Sequence, residues 1–133
     1  MTTPMPGSVP SLLTQARQIW AEAVLEQQPA EKYRCAHIAA LRAAASVLAL
    51  KARPALTSNR KPTSAWVLLN RLAPELGDWS GYFSDSAQRR AAIEAGSLSV
   101  VSERDADDLL RAVGEFIAIV ERMAGVLSLG VAS

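Results

Sequence analysis

The sequence predicts an all-α domain, a bundle of three long helices and about two short ones. Apolar residues recur every three or four positions through most of the chain. No stretch alternates with the period of two that a strand needs, and no Asn-Gly or Asp-Gly pair marks a hairpin. Pro29, Pro54 and Pro74 punctuate the periodic stretches where helices should start or stop.

Residues 1–10 hold three prolines and a glycine and read as an N-terminal tail. A first helix is expected from Ser11, whose hydroxyl suits a cap, to about Gln27. Its inner face is Leu12, Leu13, Ala16, Ile19, Trp20, Ala23 and Val24. Pro29 breaks it and opens the second helix, where Glu31 matches the positive N-terminal end. That helix, near Glu31–Ala52, carries Ala36, Ala39, Ala40, Ala43, Ala44, Ala45, Ala49 and Ala52. Such small side chains lose little entropy on ordering and let neighbouring helices come close, so it is the expected centre of the bundle. Tyr33, His37, Leu41, Ala44 and Leu48 step along one line of it.

Pro54 ends the second helix, and Arg53–Thr63 reads as a loop. A third helix over Ser64–Ala73 turns Trp66, Leu69 and Ala73 inward. Pro74 starts a short helix striped by Leu76, Trp79 and Phe83 and softened at Gly81. Asp85 reads as the cap of another, Ser86–Ala95, which Gly96 stops. Ser102 and Asp105 resemble a capping box before the last helix. There Leu109, Val113, Phe116, Ile117, Val120, Ala124 and Leu127 form a full apolar face. Residues 11–128 are thus one expected domain, with 129–133 as a C-terminal tail.

At 133 residues the chain suits one domain. Half of it is apolar and a fifth charged, a globular composition. Its 14 basic and 13 acidic residues leave a formal charge of +1, so net charge gives no general grip on nucleic acid. The lone Cys35 excludes an internal disulfide and a Cys-rich zinc site. No secretory signal pattern is present at the N-terminus, and the longest apolar runs fall short of the ~20 residues that cross a bilayer. A cytoplasmic chain without membrane contact is expected.

Chemistry is sparse. Cys35 and His37 stand about 200° apart around their helix, which argues against a shared metal site or a nucleophilic pair, and no metal or other cofactor is expected. Arg34 and His37 share a face; an arginine for phosphate and a histidine for proton transfer is the minimum kit of a metal-free ribonuclease. The alternative is that His37 packs in the core while Arg34 reaches solvent. No nucleotide loop or nucleophile elbow occurs. Asp107 and Asp108 are explained by the start of the last helix. Lys51, Arg53, Arg60 and Lys61 are the candidate anion or nucleic-acid contacts, with Arg89 and Arg90 a second basic pair. Trp66, Trp79, Tyr82 and Phe83 are candidate partner contacts, against a reading in which they fill the core.

The block His37-Ile-Ala-Ala-Leu-Arg-Ala-Ala-Ala-Ser-Val-Leu-Ala, then Arg53-Pro54, Ser64-Ala-Trp-Val-Leu-Leu, Ala73-Pro74-Glu75-Leu76, Trp79, Phe83 and Asp105-Ala-Asp-Asp-Leu-Leu, resembles a small actinobacterial branch of the HEPN superfamily. The resemblance runs from about residue 20 to 125. It implies a helical bundle, self-association as a homodimer, and an association with nucleic acid or nucleotides. Active members resemble one another in an Arg-x4–6-His motif in a late helix. Here Arg104 and Arg111 stand in that helix with no histidine after them, so no catalytic residue carries over.

Three functions stay open on this reading. One is a non-catalytic module that binds a protein partner or nucleic acid as a homodimer. Another is a metal-independent ribonuclease using Arg34 and His37. The last is a purely structural adaptor in a larger complex.

Overall fold

The computed structural model of the chain describes residues 7–51 and 64–132, and side chains as far as residue 125. Five α-helices account for nearly all of it: α1 Val9–Leu25, α2 Pro29–Leu50, α3 Ala65–Leu72, α4 Gly77–Glu94 and α5 Glu103–Ala132. Single 3-10 turns at Pro74–Leu76 and Leu98–Val100 lead into α4 and α5.

The all-α expectation holds, and the ends of the helices show why. α1 begins at Val9, two residues before the expected Ser11, because Ser8 caps it by accepting the Ser11 N–H at 3.3 Å, with Pro10 in the first turn. α2 is capped by Gln28, whose side chain accepts the Glu31 N–H at 2.7 Å. Ser64 caps α3 through the Trp66 N–H at 3.1 Å. At α5 the capping box is reciprocal. Ser102 Oγ accepts the Asp105 N–H at 3.0 Å, and the Asp105 carboxylate accepts the Ser102 N–H at 2.9 Å.

Between α3 and α5 the chain departs from the sequence reading. The two short helices expected on either side of Gly81 and Asp85 are one 18-residue helix, α4. A glycine inside a helix costs only about 1 kcal/mol, and α4 buries Ser80, Phe83, Ser86 and Ile93 across both halves. Tertiary packing outweighs the weak point. Gly96 stops α4 as expected: at φ 104° it takes the left-handed conformation. The Gly96 N–H reaches Ile93 O and the Ser97 N–H reaches Ala92 O, both at 2.9 Å, a Schellman motif.

α2 is the central helix, packed against α1, α3, α4 and α5. Ala36, Ala39, Ala40, Ala43 and Ala44 are fully buried on it, and Ala16 and Ala23 of α1 are fully buried too. With no side chain longer than a methyl at these positions, the helices lie close together. α5 runs antiparallel to α1, fixed at one end by Trp20 Nε1 donating to Leu110 O at 2.9 Å. At the other end Arg17 grips Glu121 with two bonds, at 2.6 and 3.0 Å. Lys32 to Asp107, at 3.3 Å, ties the start of α2 to the start of α5.

α3 and α4 cover the remaining face of α2. What joins them to α5 is aromatic. Trp66 stacks on Phe83 at 4.9 Å between ring centroids, and Phe83 meets Phe116 of α5 at 5.0 Å. Trp79 lies 5.6 Å from Phe116. Large rings therefore fill the space between α4 and α5, and where they end a cavity opens.

Candidate functional site

That cavity, about 270 Å³, lies where α2, α4 and α5 diverge. α2 contributes Tyr33, α4 contributes Tyr82, Asp85, Ser86 and Arg89, and α5 contributes Asp105 and Asp108. The α4 residues follow the spacing i, i+3, i+4 and i+7, so they form a polar stripe on one face of that helix. Asp105 and Asp108 do the same on the first turns of α5.

Three carboxylates face one guanidinium here. Arg89 approaches Asp105 at 3.7 Å. Asp108 is held by Arg111 at 3.0 Å and Arg104 at 3.9 Å. The bonds from Ser102 hold the Asp105 carboxyl below its usual range. Burial raises the pKa of both Tyr33 and Tyr82, so each keeps its phenolic proton.

Ser86 forms the floor and links the cavity to His37 behind it. Its Oγ lies 3.0 Å from Phe83 O and 2.6 Å from His37 Nδ1. A serine has one proton to give, to Phe83 O or to His37 Nδ1 according to the imidazole tautomer. The other ring nitrogen, Nε2, has no hydrogen-bond partner among the described residues. His37 is fully buried, edge-on to Trp66 at 5.6 Å and to Phe83 at 6.5 Å. Burial lowers its pKa from 6.5 to about 4, with Arg90 adding to the effect.

The residues singled out from sequence are placed as follows. Arg34 forms an ion pair with Glu31 one turn away, while His37 points into the core. The two do not converge, and the expected face shared by helical spacing is split between surface and interior. Trp66 and Phe83 are withdrawn from partner contact, since both are buried in the aromatic cluster. Trp79 is partly buried on the same cluster. Tyr82 keeps 43% of its surface and lines the cavity. Asp85 caps nothing: it sits inside α4 and faces the cavity. Lys51 is ion-paired to Glu75. Arg53, Arg60 and Lys61 lie outside the described residues. Cys35 is half-buried and its thiol donates to Ile19 O at 3.5 Å.

The sequence named most of the cavity residues, each for a local reason such as a cap, a first turn or a partner contact. The signal that unites them is the polar stripe Tyr82-Asp85-Ser86-Arg89, legible only once α4 is read as unbroken through Gly81. Among the described residues no three His, Cys, Asp or Glu side chains converge as a metal site requires. No described helix is long and apolar enough to cross a membrane.

Residues 23–121 match the protein family described as SAV_6107-like HEPN. No curated protein and no solved structure gives a significant match to the chain.

Proposed function

The chain belongs to the SAV_6107-like HEPN family, and from that premise we propose that it is a non-catalytic HEPN module that acts as a homodimer by binding a protein partner. The observation that carries this reading is the burial of His37. Its imidazole is sealed in the core, bonded to Ser86 and separated from Arg34. A proton-transfer group has to come within hydrogen-bond reach of a substrate hydroxyl, and a residue with no exposed surface does not. The late helix supplies no replacement, because Arg104 and Arg111 are both turned onto Asp108.

A protein target is favoured over nucleic acid by the state of the cations. Arg17, Lys32, Arg34, Lys51, Arg89, Arg90, Arg104 and Arg111 are each within 4.0 Å of a carboxylate. Phosphate tracking needs several free cations along one groove; among the described residues Arg42, Arg71 and Arg122 lack an ion pair, and they stand on three different helices, α2, α3 and α5. Apolar groups are on offer instead: Leu25 is 81% exposed, and Val24, Val67, Tyr82, Leu98 and Val100 are exposed as well. Apolar and tyrosine side chains of this kind anchor protein interfaces.

The test is a pull-down from the native host with half the sample treated with nuclease. Capture that survives nuclease supports a protein partner; capture lost with nuclease moves the target to nucleic acid. Light scattering of the purified chain reads the dimer, and a strict monomer removes that part of the reading. Cleavage of RNA by the wild type and not by His37→Ala would overturn the non-catalytic assignment.

A further inference from the structure

A groove of about 250 Å³ runs between α3 and α4, lined by Trp66, Val67 and Asn70 of α3 and by Gly77, Gly81 and Ser84 of α4. The α4 residues stand four and three apart, so they share one helix face, and none is larger than serine. A β-carbon at Gly81 would meet nothing within 4 Å, so the groove is open above it. Trp66 is 3% exposed, and its indole N–H has no hydrogen-bond partner. By contrast, the Trp20 indole is bonded to Leu110 O. An indole nitrogen only donates, and a buried donor left unpaired is costly. His37 stands edge-on to Trp66 at 5.6 Å without bonding it, and Phe83 and Phe116 offer only rings. An acceptor therefore has to come by way of the groove that Trp66 lines. Asn70 and Ser84 bring a carboxamide and a hydroxyl whose side chains make no hydrogen bond among the described residues.

What fits such a lining is an uncharged group that both accepts and donates. Among the described residues no charged side chain lines the groove, so an anion would meet no cation there and a cation no carboxylate. A purely apolar group would leave the Trp66 N–H unpaired. Trp66 Nε1 and Asn70 Nδ2 donate, while Asn70 Oδ1 and Ser84 Oγ accept. A primary carboxamide answers both sets, because its oxygen has two lone pairs and its nitrogen two protons. At about 250 Å³ the groove is below the ~300 Å³ at which whole small-molecule sites begin, which suits one such group and a short apolar stem against Val67.

We propose that the groove between α3 and α4 binds an uncharged primary carboxamide. Its carbonyl oxygen accepts from Trp66 Nε1, and its nitrogen donates to Asn70 Oδ1 or Ser84 Oγ. The group is the end of a glutamine or asparagine side chain on the partner, or a free small amide. The first source deepens the binding reading above and rests on it; the second does not need it.

The isotope-labelled full-length chain is titrated with acetyl-glutamine methylamide and with benzamide while the indole N–H resonances are followed by NMR. The control is acetyl-glutamate methylamide, which has nearly the same shape and a negative charge. The Trp66 resonance moves downfield as its N–H gains an acceptor, and that of Trp20, already bonded to Leu110 O, stays in place. The glutamate compound binds about tenfold more weakly than the glutamine one. Gly81→Leu fills the groove and abolishes the shift; it does not lower the melting temperature, because the position is open and leucine is the better helix former. Asn70→Ala, at an exposed position, weakens binding about fivefold. Equal binding of glutamine and glutamate compounds, a Trp66 resonance that stays put at about 10 mM of either amide, or indifference to both Gly81→Leu and Asn70→Ala would overturn the proposal. A shift with the glutamine compound alone assigns the carboxamide to a partner chain, and one with benzamide alone to a free amide. A failed pull-down with the Trp66 shift intact sinks the partner reading alone, and the converse result sinks this one alone.

Discussion

Trp20 of α1 rests directly on Gly114 of α5: a β-carbon at position 114 would stand 3.2 Å from Cζ2 of the indole. The same ring is pinned by its N–H bond to Leu110 O at 2.9 Å, one turn earlier on α5. Glycine inside a helix costs about 1 kcal/mol against alanine, and here it is what lets α1 and α5 approach through an aromatic plate. Gly114→Val should therefore lower stability by about 1–3 kcal/mol, the usual range for overpacking. Urea denaturation measures it; an unchanged midpoint would show that Trp20 moves aside freely.

The aromatic cluster makes a contrast between adjacent residues. Phe83 is fully buried against Trp66, Trp79 and Phe116, while its neighbour Tyr82 is 43% exposed. Phe83→Ala should cost about 3–5 kcal/mol. Tyr82→Ala should stay within about 1 kcal/mol of wild type while reducing partner capture. If Tyr82→Ala unfolds the chain as Phe83→Ala does, Tyr82 is structural and its place in the interface reading is lost.

His37 should make the fold acid-sensitive. Its pKa is about 4 in the folded chain and near 6.5 once unfolded. Between those values the unfolded state binds more protons, so stability falls as the pH falls. The contribution of neutral His37 is complete above pH 6.5 and lost on the way down to pH 4, about 3 kcal/mol over that window. His37→Asn keeps a hydrogen-bonding group near the Nδ1 position for Ser86 and removes the titration. The wild-type-minus-variant difference in unfolding free energy should slope between pH 4 and 6.5 and be flat above it. A difference that stays level throughout would show that His37 does not titrate with unfolding.

The capping box before α5 is separable from the core. Ser102 and Asp105 satisfy each other's backbone N–H groups. Ser102→Ala should destabilise by about 1 kcal/mol, and hydrogen exchange should rise first in the opening turn of α5. Protection unchanged at Arg104–Ala106 would mean that the cap contributes nothing.

The sequence by itself determined the features that depend on neighbours a few residues apart. The 3.6-residue period fixed the apolar face Leu109–Val113–Phe116–Ile117–Val120 of α5, all of it buried. Ser102 and Asp105 announced their cap three residues apart, Gly96 its left-handed stop, and the alanines of α2 their place at the centre. Tertiary structure decided everything that joins distant positions. Phe83 and Ser86 hold α4 together past Gly81, because packing worth several kcal/mol outweighs a local weakness of about one. His37 finds Ser86 across 49 residues of sequence and is enclosed by Trp66 and Phe83, neighbours that its spacing from Arg34 does not foretell. The cavity is the plainest case. Tyr33, Asp85 and Asp108 belong to three helices, and no local rule relates them until the aromatic rings of α3, α4 and α5 set how far apart those helices stand.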